Sequence, residues 1–207
     1  MIKVKICGIK KIEEIKYLNN LLPDYVGFVF AESKRKISID TAKILIDKLD
    51  KRIKKVGVFV NEKLVNVLHK VETLKLDVIQ LHGDEDYNYI KSLKDYNVEI
   101  WKALRISEKT DFSILGSYKE VDAFLLDTYS KESFGGTGKL FDWDLAMKAK
   151  KYGKVILAGG LNPDNVGKAI KRVDPYIVDV SSGVENQEGK DEYKIKKFIY
   201  SSRANIY

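Results

Sequence analysis

KVILAGGLNPDNVGKAIKRVDPYIVDVSSG, residues 154–183, decides the architecture. A short apolar run ends on paired glycines, a helical stretch opens after Asn162 and Pro163, and a second apolar run ends on Ser181, Ser182 and Gly183. Neither run alternates apolar with polar residues, so each reads as a strand buried on both faces. The helix between them is long enough to return the chain for a parallel partner, which makes the segment a βαβ unit.

The same alternation continues outward toward both ends. VKICG (4–8), YVGFVF (25–30), KVGVFV (55–60), DVIQLHG (77–83), EIWKALRI (99–106) and AFLLDTY (123–129) precede the two runs already quoted, giving eight strands. Helical spacing marks IEEIKYLNNLL, SIDTAKILIDKL, NEKLVNVLHKVETL, DEDYNYIKSLKDY and DWDLAMKAKKY between them, a weaker DFSILGSYKE, and DEYKIKKFIYSS after the last. Ser38 with Asp40, Asn61 with Glu62, and Asn162 before Pro163 supply helix-start signals. Eight such units predict an α/β fold of the closed (β/α)8 TIM barrel type, with residues 1–207 as a single domain. Periodicity does not say whether the eighth strand pairs with the first, so a doubly wound open sheet is the alternative.

Composition narrows the function classes. With 44% hydrophobic and 32% charged residues the chain can bury a sizeable core under a well-solvated surface. Its net charge of +7 is spread among interleaved acids, as in KILIDKLDKRIKK, which describes a solvated surface rather than a nucleic-acid stripe. MIKVKICGIKK lacks the unbroken apolar stretch of a signal peptide, and no run approaches the roughly 18 apolar residues of a membrane span. The single cysteine makes no internal disulfide and fits a cytoplasmic location.

In a βα barrel all strand C-termini open onto one face, where the active site is built. That places Cys7, His82, Asp127, Gly159 with Gly160, and Ser181, Ser182 and Gly183 around one mouth, with Arg35 in the loop after the second strand. Taken singly each has a bland explanation: Cys7 as a small buried hydrophobe, Asp127 as a loop cap, His82 as a strand-end hydrogen bonder. AGGLNPDNV and SSG say more. Exposed backbone N–H groups at such turns make an anion site, and barrels often hold phosphate there. SFGGTGK (133–139) fails as a nucleotide loop, because Ser133 and Leu140 stand where a Walker motif needs Gly and Ser or Thr. Two distant histidines and one cysteine form no zinc cluster, though a carboxylate magnesium site stays open on this count.

Seven segments in register carry a family resemblance: KICGI (5–9), GFVFAESKRKIS (27–38), QLHGDE (80–85), LLDT (125–128), FGGTGKLFDW (134–143), LAGGLNPDNV (157–166) and DVSSGVE (179–185). The chain resembles phosphoribosylanthranilate isomerase of tryptophan biosynthesis over nearly its whole length. The resemblance implies an Amadori rearrangement of a phosphorylated small-molecule substrate, with no cofactor and no metal; from charge distribution and apolar runs neither a nucleic-acid nor a membrane partner is expected, and the assembly is expected to be a monomer or homodimer. It implies that Cys7 is the general base and Asp127 the general acid, and that Arg35 binds the anthranilate carboxylate. Gly159, Gly160, Ser181, Ser182 and Gly183 grip the phosphate, Asp179 lies near the sugar hydroxyls, and His82 joins the substrate-binding set. AESKR has Glu32 where many members have proline, and the loop ENQEGKDE is less glycine-rich than usual, which leaves its role open.

The chemistry needs two proton carriers facing different parts of one sugar, and the first and sixth strands are separated around a barrel only by the seventh and eighth. The rival barrels fit less well. The related histidine-pathway isomerase has aspartate in place of the KICG cysteine, and indole glycerol phosphate synthase relies on strand lysines, for which Lys102 is the one candidate. A nucleic-acid-binding protein is the alternative outside enzymes.

Overall fold

The computed structural model describes residues 2–127 and 143–204. Eight parallel strands, β1 (Lys3–Cys7), β2 (Tyr25–Val29), β3 (Lys54–Phe59), β4 (Val78–Leu81), β5 (Glu99–Arg105), β6 (Ala123–Asp127), β7 (Val155–Ala158) and β8 (Ile177–Val180), follow one another around a closed barrel. The first and last strands pair in register, Lys3 with Ile177, Val4 with Val178, Lys5 with Asp179 and Ile6 with Val180. Closure therefore replaces the open-sheet alternative.

The strands read as unbroken apolar runs because they are buried on both sides. Val56, Val58, Val78, Trp101, Ala103, Leu125 and Ile156 fill the interior, where Tyr25 meets Trp101 edge-on at 5.0 Å between ring centroids. The alternate residues Ile6, Phe28, Phe59, Ile79, Phe124, Leu126 and Leu157 face outward and pack beneath the helices. These are α1 (Ile12–Leu21), α2 (Ile39–Asp47), α3 (Leu64–Leu74), α4 (Tyr87–Lys91), α5 (Trp143–Ala149), α6 (Val166–Val173) and α7 (Glu192–Arg203). Among the described residues no helix is long and apolar enough to cross a membrane.

Several local expectations need correction. DFSILGSYKE forms a 3-10 turn over Phe112–Ser117 rather than an α-helix, and α4 spans only five residues. Ser38 caps α2 as expected, accepting from Thr41 N–H at 3.0 Å. Asn61 does not cap α3, which starts after Lys63. Asn61 takes φ +49° and spends its side-chain oxygen on the Asp84 N–H, 2.7 Å away, so it belongs to the loop packing after β3 and β4. Asn162 likewise caps a turn, accepting from Asp164 and Asn165 N–H, and α6 begins only at Val166. The SFGGTGK stretch and most of FGGTGKLFDW lie outside the described residues.

One buried carboxylate ties the two ends of the chain together above the barrel. Glu14, in the first turn of α1, accepts the N–H groups of Lys10 (2.7 Å) and Lys11 (3.0 Å) through Oε2 and that of Lys190 (3.0 Å) through Oε1. It anchors the loop after β1 to the loop after β8. Replacing it with alanine strands the buried Lys190 N–H and takes the acceptor from the part-buried Lys10 and Lys11 N–H groups, and unpaired donors cost free energy. We expect Glu14→Ala to lower the unfolding free energy by about 3 kcal/mol in urea titration. A loss under about 1 kcal/mol would mean that water takes over the carboxylate's bonds.

Candidate active site

The C-terminal end of the barrel gathers the sequence-derived residues by strand parity. Cys7 lies on the interior face with Val56 and Ile156, because its neighbour Ile6 faces outward. Asp127 follows Ala123 and Leu125 of the same interior set, and Asp179 follows Ile177. The thiol of β1, the carboxylate of β6 and the carboxylate of β8 thus all project inside one ring. Lys102 does not join them. It sits between the inward-facing Trp101 and Ala103, so its side chain leaves the barrel and pairs with Glu85 at 2.9 Å, both side chains nearly inaccessible. Lys102 is a structural cation, and the synthase-like reading loses its lysine.

Around Cys7 the electrostatics are opposed. The Lys5 ammonium, two residues earlier on the same face, is fully buried and bonds Asp179 across the β1–β8 seam at 2.9 Å. Burial works against that ammonium, but the charges of Asp179 and Cys7 outweigh it and hold its pKa above the ordinary lysine value. Burial, aided by Asp179, pushes the Cys7 thiol up, while Lys5 and Lys190 pull it back, leaving it above its usual value. Gly27, opposite Cys7 on β2, makes the room: a Cβ there would stand 2.7 Å from Sγ. Asp179 keeps one buried oxygen, Oδ1, without a hydrogen-bond partner among the described residues.

His82 comes to Asp127, not to Cys7, with Nε2 3.4 Å from Oδ2. Gln80 Nε2 lies 3.2 Å from the other ring nitrogen, Nδ1. Gln80 thus contacts one ring nitrogen while the other faces the carboxylate.

Between β1 and β6 stand the loops after β7 and β8. Gly159 and Gly160 both take positive φ, 77° and 66°, and a Cβ on Gly160 would meet nothing within 4 Å, so its backbone is open. A Cβ on Gly183 would lie 1.9 Å from the carbonyl oxygen of Leu161, so the two loops touch and only glycine fits. Ser182 and Gly183 start the short turn Ser182–Val184, whose first N–H groups have no acceptor within it. Ser181 Oγ donates to Cys7 O at 3.0 Å, linking this turn to the thiol's backbone.

Arg35 folds over the end of β1. Gly8 takes φ +83°, and a Cβ there would stand 2.4 Å from Arg35 Cδ, so the glycine after Cys7 is the seat of the arginine stem. The guanidinium bonds Glu185 twice, Nε to Oε1 and Nη2 to Oε2, each at 2.7 Å. Lys190, its side chain 1% exposed, donates to Glu185 Oε1 (2.8 Å) and to Ser181 O (3.0 Å). Burial lowers the Lys190 pKa, against the pull of Glu185. Glu185 itself is raised by burial but brought down to about 2 by Arg35 and Lys190. Sequence reading missed Glu185 and Lys190 as site residues. The signal was the acid closing DVSSGVE, together with the buried-loop lysine of EGKDE. Glu32, in place of the family's proline, pairs at the surface with Lys36 and leaves Arg35 in position.

Comparison with known proteins converges on one family. The model of the N-(5'phosphoribosyl)anthranilate (PRA) isomerase family matches residues 4–201. N-(5'-phosphoribosyl)anthranilate isomerase of Thermoanaerobacter pseudethanolicus is 53% identical over 204 residues, covering 99% of each chain. The structure of mutually generated monomers of the dimeric phosphoribosylanthranilate isomerase from Thermotoga maritima superposes with a TM-score of 0.86. It is 38% identical and covers 99% of this chain and 100% of that one. A phosphoribosylanthranilate isomerase solved in complex with reduced 1-(o-carboxyphenylamino)-1-deoxyribulose 5-phosphate gives 0.86 at 36% identity, with the same coverage.

The charges around Cys7 have a measurable consequence. With one cysteine in the chain, the pH dependence of iodoacetamide alkylation, followed by mass spectrometry, reports its ionisation alone. We expect a midpoint above that of a free thiol, displaced further upward by Lys5→Met and downward by Asp179→Asn. Identical midpoints in all three proteins would contradict the opposed-charge description.

Proposed function

Because the chain belongs to the N-(5'-phosphoribosyl)anthranilate isomerase family, we propose that Cys7 and Asp127 are the proton carriers of its reaction. The enzyme isomerises N-(5'-phosphoribosyl)anthranilate to 1-(2-carboxyphenylamino)-1-deoxyribulose 5-phosphate, an Amadori rearrangement in tryptophan biosynthesis. The observation that carries the assignment is parity. Cys7 and Asp127 are the inward-facing last residues of β1 and β6, with the glycine loops of β7 and β8 between them.

Asp127 delivers a proton to the ribose ring oxygen, and the C1–O bond breaks as the anilino nitrogen forms C1=N. The Cys7 thiolate then takes the proton from C2, and the electron pair moves into the C1–C2 bond to give an enolamine. Proton uptake at C1 and loss from the C2 hydroxyl yield the ketone. No redox partner enters. The His82 ring stands 3.4 Å from one oxygen of Asp127, Oδ2, and leaves the other for the sugar. Lys5 and Lys190 favour the thiolate against burial.

The phosphate belongs over the loops after β7 and β8. Gly159 and Gly160 allow close backbone approach, and Ser182 and Gly183 present N–H groups at the opening of a turn. The orphan Oδ1 of Asp179 is an acceptor for a sugar hydroxyl. Arg35 takes the anthranilate carboxylate. With the phosphate held between the two proton carriers, C1 and C2 lie across the mouth.

Loss of substrate fluorescence tests the pair. Cys7→Ala and Asp127→Asn should each lower kcat by roughly 10³-fold while KM changes by less than about tenfold, since each removes a proton carrier and little binding. A variant retaining more than about a tenth of the wild-type kcat would transfer that role to another group.

A further inference from the structure

Arg35 is the proposed clamp for a carboxylate, yet it already grips one belonging to the protein. Two explanations predict opposite behaviour. Either Glu185 occupies the substrate's place and must leave, or it holds the arginine while another part of the guanidinium does the binding.

A guanidinium offers two edges on which a carboxylate can accept two parallel bonds. Glu185 uses the side edge, Nε with Nη2. The end edge, Nη1 with the second Nη2 hydrogen, makes no hydrogen bond among the described residues. Glu185 is not free to swing, because the buried Lys190 ammonium holds its Oε1, and that ammonium is fixed on Ser181 O and Oγ. Backbone closes the other side, where Lys190 N–H is held by Glu14 and the Arg35 stem rests on Gly8. Arg35, Lys190 and the exposed Lys34, 4.0 Å from Glu185 Oε2, outnumber the one carboxylate, so the cluster keeps a net positive charge for an incoming anion. Held down to about pH 2, the Glu185 charge stays constant through any assay range.

We propose that Glu185, braced by Lys190, is a positioning residue for aromatic-carboxylate recognition: it grips the Arg35 side edge so that the end edge faces the substrate. The inference rests on the reading of Arg35 as the carboxylate clamp. Arg35 acts on the ligand directly, and Glu185 acts only through it.

The test is binding of two probes by calorimetry, reduced 1-(o-carboxyphenylamino)-1-deoxyribulose 5-phosphate and the same molecule lacking the ring carboxylate. Arg35→Met should lose roughly 100-fold affinity for the carboxylated probe and hardly change for the other. Glu185→Gln, which keeps the side chain's shape, should lose about tenfold for the carboxylated probe only, with KM rising and kcat nearly unchanged. If Arg35→Met weakens both probes alike or neither, the clamp reading fails and this inference with it. If Arg35→Met is selective but Glu185→Gln tightens the carboxylated probe, weakens both or changes neither, the clamp stands and Glu185 is a competitor or a structural residue.

Discussion

The seam between β1 and β8 is the constraint on which the site depends. It turns a row of eight strands into a ring, and at its centre the Lys5 ammonium and Asp179 carboxylate meet inside the barrel. A buried pair is a poor source of stability, because desolvating both charges costs about as much as their attraction returns. Its value here is positional. It sets a positive charge two residues from the thiol and an acceptor oxygen beside it, and Ser181 crosses the same seam to the Cys7 carbonyl.

From that seam the site divides into two halves of different character. Near β1 and β8 a dense ionic lattice, Lys5 with Asp179 and Arg35 with Glu185 and Lys190, surrounds a thiol that burial keeps from ionising easily. Near β4 and β6 there is a sparse chain, Gln80 to His82 to Asp127. The division suits a reaction in which one group must accept a proton and the other give one. Between the halves, glycines after β7 and β8 offer backbone rather than charge, which suits the phosphate they are proposed to hold.

How much of this was legible depended on the range of the interaction. The strands were readable because double-sided burial writes itself into consecutive residues such as VILA and IVDV. The strand-end residues Cys7 and Asp127 were readable because parity and the barrel's polarity turn chain position into geometry. Lys102 was weighed only for the rejected synthase reading, and Trp101 and Ala103 on either side of it already argued that it points away from the barrel interior. Asn61 looked like a cap because the residue type was right, but its oxygen was claimed by Asp84 from the next loop. Glu185 and Lys190 escaped altogether. The partners of Arg35 and Cys7 lie 150 residues or more away, and a single sequence names residues without naming what they touch.

The Lys5–Asp179 bond spans 174 positions of the chain. In the unfolded chain neither group has its counterion, and the pair forms only when β8 lies against β1. The thiol therefore gains the Asp179 and Lys190 part of its electrostatic surroundings only on closure of the ring, an event of high sequence separation, hence slow.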